Sequence, residues 1–400
     1  MEQIIIPKHL RGTVTVPPSK SQAHRAVIAA ALANGQSTVS NLAWSDDIQA
    51  TIGAMKALGA HIITGENSLT VRGATPNTED NTIIDCCESG STLRFLIPLA
   101  WCTGKRVTFT GKGRLMQRPL TPYFDICKQD NICYTQTTDT ITFSGKLQGG
   151  TYYLPGNISS QFITGLLFAL PLLKQDSIIE LTTKAESVGY IDMTLDILNR
   201  FGVNITNKNY ERFIIPGNQH YTPCSVTVEG DYSQAAFYLC ANAMGSQIDI
   251  KGLHPASCQG DKEILSIIEQ FGSPLKGTTI DVSQIPDLVP VLAVLATQAE
   301  GTTRIINAAR LRIKESDRLA TVTEALSRFG AQIEEQEDAL IIHGKTPLSG
   351  CIIDSHNDHR IAMASAIAAT VATGTVTICG SECVKKSYGK FWEDYSSLAK

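Results

Sequence analysis

Residues 19–32 read SKSQAHRAVIAAAL, a short polar group followed by an alanine-rich apolar run. The run would be apolar on nearly every side of a helix, and such helices are typically buried. The polar start offers hydroxyl groups and free backbone N–H groups, which together favour anion binding. The segment therefore predicts a buried helix whose N-terminal end faces a negatively charged ligand.

The same pattern occurs six times along the 400 residues, by residue type and not by identity. The apolar runs start near residues 21, 90, 159, 231, 287 and 358. Intervals of about 55–72 residues are typical of a repeated supersecondary unit. In most units a second, amphipathic helix ends at a glycine, as at Gly59, Gly202, Gly272 and Gly330. Short β-rich runs follow, among them residues 61–64, 203–205 and 339–342.

The two ends of the chain complement each other. The last unit has a second helix from about Phe391 and no strand after it, whereas unmatched β-rich runs lie at residues 4–6 and 13–16. We predict that these N-terminal strands complete the C-terminal half. The lobes are then residues 18–229 and residues 1–17 plus 230–400, with a two-strand hinge near 17 and 229. The alternative is two sequential domains with a free N-terminal arm.

Positive charge is concentrated in a chain whose net charge is −4. Residues 89–124 contain no Asp or Glu and hold six cationic side chains: Arg94, Lys105, Arg106, Lys112, Arg114 and Arg118. A second cluster lies at residues 310–318. Clusters of one sign attract an anionic ligand, although the overall charge disfavours a general nucleic-acid binder. The pattern indicates a small, multiply charged substrate; the alternative is that these are only solvated loop charges.

Other classes of protein are disfavoured. The longest apolar stretches are too short to cross a bilayer, and the first residues lack a signal-peptide pattern. The 11 scattered cysteines suit reduced thiols, so we expect a cytoplasmic enzyme. A phosphate-binding GxxxxGK[ST] loop is absent. His356 and His359 have metal-ligand spacing without a third ligand in the sequence, so we expect no metal site.

Eight short motifs, in order along the chain, resemble those of the EPSP synthase (3-phosphoshikimate 1-carboxyvinyltransferase) family. They are Pro18–Ser21 with Arg25, Ser89–Arg94, Arg114 with Arg118–Pro119, Ser159–Phe162, Ile285–Asp287, Lys314–Arg318, Asn357–Arg360, and Lys386. The resemblance implies an α/β fold of two lobes, inside-out and barrel-like, each with three βαβαββ repeats around buried alanine-rich helices. It also implies that the lobes close over their substrates.

The implied reaction moves the enolpyruvyl group of phosphoenolpyruvate to the 5-hydroxyl of shikimate 3-phosphate and releases phosphate. It is a step towards chorismate and the aromatic amino acids and needs no metal or organic cofactor. The implied partners are these two small molecules, with no nucleic acid and no membrane, and the implied state is a monomer.

The resemblance also implies roles for individual residues. The catalytic residues would be Asp287 as base, Glu315 as proton donor, and Lys20. Shikimate 3-phosphate would contact Lys20, Ser21, Arg25, Ser159, Ser160, Ser187, Tyr190, Asp287, Arg310 and Lys314. Phosphoenolpyruvate would contact Lys20, Gly90, Arg114, Gln161, Arg318, Arg360 and Lys386. Arg310 stands where some members have Asn, which leaves its contact open.

Two other functions compete with this interpretation. A related enzyme class transfers enolpyruvate to UDP-N-acetylglucosamine, but its members usually carry a cysteine in the loop that here reads Thr110–Arg118 without one. A two-lobed protein that binds anions without chemistry would not need Asp287 and Glu315. Without the resemblance, Asp287 would be interpreted as a helix cap and Glu315 as the partner of Arg312 or Arg318.

Overall fold

The computed structural model describes residues 1–399; Lys400, the last residue of the expected C-terminal lobe, lies outside the described residues. The chain divides into two compact units. We call Lys20–Val228 the continuous unit, and Met1–Ser19 together with the chain from Glu229 onward the discontinuous unit. Each unit has its own hydrophobic core.

Residues 1–399 form twelve α-helices. In chain order they are α1 (Lys20–Leu32), α2 (Asp46–Ala57), α3 (Gly90–Thr103), α4 (Thr121–Asp130), α5 (Ser160–Ala169), α6 (Val188–Arg200), α7 (Tyr232–Ala243), α8 (Ile264–Phe271), α9 (Val289–Thr297), α10 (Arg318–Arg328), α11 (His359–Ala369) and α12 (Phe391–Leu398).

The same residues form twenty-one β-strands. They are β1 (Glu2–Ile5), β2 (Arg11–Thr15), β3 (Gln36–Ser40), β4 (His61–Thr64), β5 (Ser68–Arg72), β6 (Thr82–Asp85), β7 (Val107–Thr110), β8 (Cys133–Gln136), β9 (Thr140–Ser144), β10 (Thr151–Leu154), β11 (Ser177–Leu181), β12 (Thr206–Lys208), β13 (Arg212–Ile215), β14 (Ser225–Thr227), β15 (Gln247–Lys251), β16 (Thr279–Asp281), β17 (Gly301–Ile306), β18 (Gln332–Glu335), β19 (Leu340–Gly344), β20 (Ile352–Asp354) and β21 (Val376–Cys379).

One strand arrangement is repeated in the sheets. A parallel pair is followed by two antiparallel strands, as in the order β6-β7-β9-β8. The continuous unit contains this sheet and two copies of it, β14-β3-β5-β4 and β10-β11-β13-β12. The discontinuous unit contains the full copy β16-β17-β19-β18 and the shorter sheets β20-β21-β1 and β15-β2. The predicted repeat is therefore confirmed.

The N-terminal strands pair with strands from the C-terminal half of the chain. Strand β1 runs antiparallel to β21, with Ile4 opposite Thr377. Strand β2 runs parallel to β15, with Val14 opposite Ile250. Residues 1–19 therefore supply backbone hydrogen bonds and buried side chains to the discontinuous unit.

The six alanine-rich runs form α1, α3, α5, α7, α9 and α11, and each helix starts within two residues of its predicted position. Every residue of α9 and α11 is buried. In the discontinuous unit α7, α9 and α11 pack against one another, and in the continuous unit α3 packs against α5 and α1 against α2 and α6. The predicted burial of these helices is confirmed.

The helix ends follow their local chemistry. Ser89 caps α3 by accepting a hydrogen bond from the N–H of Thr92, and Asp358 caps α11 through the N–H of Arg360. Gly59 and Gly330, which follow α2 and α10, have φ values of 102° and 87°, a conformation that a side chain would strain.

One predicted strand was placed wrongly. The run 203–205 is not a strand; β12 begins at Thr206. The reason is that a side chain takes the place of a neighbouring strand. Gln219 accepts a hydrogen bond from the N–H of Asn204 at 2.8 Å and donates one to the Asn204 carbonyl at 3.0 Å.

In the part of the chain described, every helix is too short or too polar to cross a membrane.

Candidate active site

The expected site residues gather at the N-terminal ends of the buried helices. Lys20 is the first residue of α1, Gly90 of α3 and Ser160 of α5, all in the continuous unit. In the discontinuous unit Asp287 lies in the short turn before α9, and Arg360 in the first turn of α11. Helix N-termini carry unpaired N–H groups and partial positive charge, so both sets suit anions.

Arg25 is held rigidly in the continuous unit. Its Nε donates to Thr194 Oγ1 at 2.8 Å, and its two terminal nitrogens donate to the carbonyls of Ser21 at 2.7 Å and Tyr190 at 2.9 Å. The guanidinium lies 5.1 Å from the ring centroid of Phe95 and 5.8 Å from that of Tyr190. These contacts fix the plane of the guanidinium and leave little rotamer entropy to lose on binding an anion.

Lys20 lies beside an acidic partner on the next helix. Its ammonium group is 2.7 Å from Asp47 Oδ2, and both side chains are largely buried. Because Asp47 occupies the first turn of α2, this pair fixes the ammonium relative to two helix N-termini.

A second group surrounds Gly90. Gln161 accepts a hydrogen bond from Arg94 Nη1 at 2.8 Å and donates to Ser91 Oγ at 3.0 Å. A methyl group built on Gly90 would lie 2.6 Å from Arg118 Nη1 and 3.6 Å from Gln161 Oε1. Gly90 therefore leaves space that the Arg118 guanidinium borders.

The loop that precedes Arg118 also contains Arg114, the expected contact for phosphoenolpyruvate. Arg114 is exposed and immediately precedes the 3-10 turn Leu115–Gln117. Arg118, to which the sequence analysis gave no role, follows this turn and is the residue that lies against Gly90.

Three serines lie at the starts of α5 and α6. Ser159 caps α5 by accepting a hydrogen bond from the N–H of Gln161, and Ser160 is buried. Ser187 precedes α6 with a φ of 55°, and Tyr190 lies in the first turn of that helix. Hydroxyls at helix starts bring donors and the positive end of the dipole together, which suits a phosphate.

In the discontinuous unit three cations contact one carboxylate. Asp287 Oδ1 accepts hydrogen bonds from Lys314 Nζ at 3.2 Å and Arg318 Nη1 at 2.9 Å. Arg360 donates to Asp287 Oδ2 at 3.3 Å and to its backbone carbonyl at 3.0 Å. The cluster places three positive groups around a carboxylate at the start of α9.

Arg318 is the centre of this cluster. Its side chain is 1 % exposed, and it pairs with Glu315 at 2.7 Å and Asp358 at 2.9 Å as well as with Asp287. Glu315 is therefore the partner of Arg318, whereas Arg312 pairs with Asp317 and Glu335. A buried guanidinium between three carboxylates orients all of them, because each occupies a different edge of its planar fork.

The environment shifts several pKa values in the cluster. Burial lowers the pKa of Lys314, and the charge of Asp287 opposes that shift. Burial is the largest single influence on Asp358 and would raise its pKa, but the charge and hydrogen bond of Arg318 together with the charge of His359 outweigh it, so the pKa is lowered. Burial, with the charge of Asp287 as the next cause, raises the pKa of Asp261 to about 7.

The remaining expected residues also lie in the discontinuous unit. Lys386 is buried at the end of the 3-10 turn Ser381–Lys386, and its ammonium donates to the carbonyl of Asn357 at 2.7 Å. Arg310 donates to the carbonyl of Ser283. The structure thus brings Lys386 to the residue before the cap of α11.

Sequence reasoning gave no role to Asp47, Asp358 and Arg118. Asp47, in the first turn of α2, is the partner of Lys20. Asp358 was part of a quoted motif, and it both caps α11 and pairs with Arg318. For Arg118 the sequence did hold a signal, because it lies in the stretch 89–124, which contains no Asp or Glu.

The chain is similar to known proteins over nearly its whole length. The family model described as EPSP synthase (3-phosphoshikimate 1-carboxyvinyltransferase) matches residues 4–395. The 3-phosphoshikimate 1-carboxyvinyltransferase of Clostridium perfringens (strain 13 / Type A) is 50% identical, over 99% of this chain and 97% of its own. That of Clostridioides difficile (strain 630) is 47% identical, over 98% and 96%.

Solved structures show the same fold. EPSP synthase from Acinetobacter baumannii superposes with a TM-score of 0.83 at 25% identity, over 100% of this chain and 98% of that one. The enolpyruvyl transferase NikO from Streptomyces tendae, at 18% identity, gives 0.80 over 99% and 96% and supports the fold alone. The expected α/β fold class is confirmed. By sequence over nearly its whole length, the chain belongs to the EPSP synthase (3-phosphoshikimate 1-carboxyvinyltransferase) family.

Proposed function

We propose that this chain transfers the enolpyruvyl group of phosphoenolpyruvate to the 5-hydroxyl of shikimate 3-phosphate and releases phosphate. The observation that carries the proposal, beside family membership, is the Asp287 cluster. A carboxylate positioned as a base lies among Lys314, Arg318 and Arg360, and a second carboxylate, Glu315, lies on the same guanidinium.

For shikimate 3-phosphate, the continuous unit offers separate groups for its two anionic ends. We assign the carboxylate to Ser21 and Arg25, because the Arg25 guanidinium is already oriented by Thr194 and Tyr190. The helix starts at α5 and α6 suit the 3-phosphate. The residues proposed for it are Ser159, Ser160, Ser187 and Tyr190, together with Lys314 from the discontinuous unit.

For phosphoenolpyruvate, we assign Lys20, Gly90 and Gln161 in the continuous unit. The position of Arg118 beside Gly90 supports adding it to this group; Arg114 stays a proposal from the resemblance. In the discontinuous unit the proposed contacts are Arg318, Arg360 and Lys386. Arg310 remains a proposed contact of shikimate 3-phosphate.

The chemistry requires two proton transfers. As the 5-hydroxyl adds to C2 of phosphoenolpyruvate, Asp287 accepts the hydroxyl proton and Glu315, with Lys20 assisting, delivers a proton to the methylene carbon. The tetrahedral intermediate then loses phosphate by cleavage of its C–O bond, while a methyl proton returns to a carboxylate. Cations beside the departing phosphate stabilise its charge, so side chains supply the whole reaction and we propose no cofactor.

The Asp287 cluster also suggests how substrate binding activates the base. Asp287 pairs with three cations, of which Arg318 is shared with Glu315 and Asp358. A phosphate or carboxylate from a substrate can share Lys314, Arg318 and Arg360, which frees the Asp287 carboxylate to accept a hydrogen bond from a hydroxyl group. Binding energy from the anions is thereby used to activate the base.

Phosphate release tests this function against its rivals. We expect release from phosphoenolpyruvate only when shikimate 3-phosphate is present. Release with UDP-N-acetylglucosamine instead would favour the related transferase class, and binding without release would favour an anion-binding protein. We further propose a monomer in the cytoplasm; light scattering of the purified protein checks the monomer.

A further inference from the structure

Four buried side chains form a hydrogen-bonded chain in the continuous unit. His24 Nδ1 lies 2.7 Å from Thr51 Oγ1, Thr51 Oγ1 lies 2.7 Å from Thr92 Oγ1, and Thr92 donates to Ser89 Oγ at 2.7 Å. All four residues are 0 % exposed. This hydrogen-bonded chain of side chains joins α1, α2 and α3 and ends at Ser89, the residue before Gly90.

The donor and acceptor in each of these hydrogen bonds follow from the bond at the Ser89 end. The Thr92 hydroxyl donates to Ser89, so it accepts from Thr51, and Thr51 in turn accepts from the Nδ1–H of His24. Nε2 of His24, which has no hydrogen-bond partner within the described residues, then carries a lone pair. Burial, with the charges of Lys20 and Arg25, lowers the pKa of His24 well below its usual value, so the ring is neutral and this tautomer is kept.

A second contact between α1 and α2 lies one helical turn away. Lys20 and His24 are four residues apart on α1, and their partners Asp47 and Thr51 are four apart on α2. Residues with this spacing lie on one face of a helix, so the two contacts are successive rungs between the same two helices. Thr92 also lies 3.4 Å from the Asp47 carbonyl, which links α3 to the turn that holds Lys20.

Apart from Lys20, the proposed contacts for shikimate 3-phosphate depend on other bonds. The side-chain hydrogen bonds of Arg25 go to the Ser21 carbonyl within α1 and, in α6, to Thr194 and the Tyr190 carbonyl, while its contact with α3 is the ring of Phe95. A small displacement of α2 and α3 relative to α1 would therefore change the distance from Lys20 to Gly90 and keep these hydrogen bonds of Arg25, although Phe95 would shift with α3.

We propose that the chain His24–Thr51–Thr92–Ser89 is a positioning device that sets Lys20 against Gly90 and so shapes the phosphoenolpyruvate pocket. The inference rests on the proposed function and deepens it. The four residues act through Lys20 and Gly90 and do not themselves touch substrate.

Thr51→Val tests the proposal, because it keeps the shape of the side chain and removes the hydroxyl that both neighbours share. We expect the KM for phosphoenolpyruvate to rise at least about tenfold, since displacements near 1 Å at a binding site are costly. The calorimetric affinity for shikimate 3-phosphate should fall by a smaller factor, because Lys20 is only one of its ten expected contacts. Thr51→Ser, which keeps the hydroxyl, should restore the wild-type KM.

The matched control is Ser37→Ala. It also removes a buried hydroxyl of the continuous unit, one that accepts a hydrogen bond from the N–H of Cys224. It should lower stability without separating the two substrates. Should Thr51→Val not fold, Thr92→Val keeps the His24–Thr51 bond and should show the same selective rise in KM.

Two results would overturn the inference while wild-type turnover upholds the proposed function. One is an equal loss for both substrates in Thr51→Val, and the other is an unchanged KM for phosphoenolpyruvate in both valine variants. A wild type that binds shikimate 3-phosphate without turnover would instead contradict the proposed function and, with it, this inference.

Discussion

At the scale of single residues, Glu315 carries the most specific chemical assignment. Glu315→Gln keeps an acceptor for Arg318, which retains Asp358 and Asp287 as partners. We expect turnover to fall by about 10²–10⁴-fold, the usual share of a general acid, with little change in the affinity for either substrate. Steady-state kinetics and calorimetry on the variant measure both quantities.

The control for this variant is Glu335→Gln. Glu335 also pairs with an arginine, Arg312, at 2.7 Å, outside the Asp287 cluster. Its amide should leave turnover unchanged. Retention of more than about a tenth of wild-type turnover by Glu315→Gln would remove the general-acid role from that residue.

Asp261 gives a prediction about stability and pH. It is buried and accepts a hydrogen bond from Ser233, and burial, with the charge of Asp287, raises its pKa from the usual 3.8 to about 7. Between these values the folded state holds a proton that the unfolded state has released, so the free energy of unfolding falls as the pH rises towards 7. A difference of one between the pKa values of the folded and unfolded states changes the free energy of unfolding by about 1.4 kcal/mol.

Asp261→Asn should remove this part of the pH dependence. Urea unfolding between pH 4 and 8 should show the variant gaining stability relative to wild type as the pH rises. A difference between the two proteins that is constant with pH would mean that Asp261 titrates alike in both states.

At the scale of elements, the start of α3 shows why a residue larger than glycine would be unfavourable at position 90. A methyl there would press on the end of the Arg118 side chain, which is flexible and can move at little cost to folding. We expect Gly90→Ala to raise the KM for phosphoenolpyruvate because Arg118 is displaced. Overpacking by one methyl costs about 1–3 kcal/mol, or about 5–150-fold in affinity.

Gly53→Ala is the matched control, since Gly53 lies within α2 and a methyl there meets nothing within 4 Å. It should stabilise the protein by about 0.5–1 kcal/mol without a kinetic effect. An unchanged KM for phosphoenolpyruvate in Gly90→Ala would mean that Gly90 does not lie beside this substrate.

The helices also show how far sequence reasoning reaches. The start of α3 was predictable because Ser89 can cap a helix and an apolar run follows, which are local signals. The strand expected at residues 203–205 failed because Gln219, fifteen residues away, takes the backbone groups of Asn204. Partners such as Asp358 for Arg318 were equally out of reach, because forty residues separate them and only the fold brings them together.

At the scale of the whole molecule, the two units differ in how they can be made. The continuous unit has all its strands within Lys20–Val228, whereas the discontinuous unit needs β1 and β2. We expect residues 20–228 to unfold cooperatively in urea as a fragment, and residues 229–400 to lack that transition. Without residues 1–19, β21 and β15 lose backbone partners, and Ile5, Leu10 and Val14 are missing from the core.

Joining residues 1–19 behind residues 229–400 through a flexible linker should restore cooperative unfolding, followed by circular dichroism. If residues 229–400 alone unfold at the same urea concentration as the joined fragment, the N-terminal strands are not part of that folding unit.

The central claim is that the hydroxyl of shikimate 3-phosphate attacks carbon and that phosphate leaves with its C–O bond broken. Phosphoenolpyruvate labelled with ¹⁸O in the bridging position tests this most directly, with both products analysed by mass spectrometry. We predict that the label leaves with the phosphate and that the enolpyruvyl carbons appear on shikimate 3-phosphate. Label retained in pyruvate, with unlabelled phosphate released, would mean hydrolysis at phosphorus and would contradict the account.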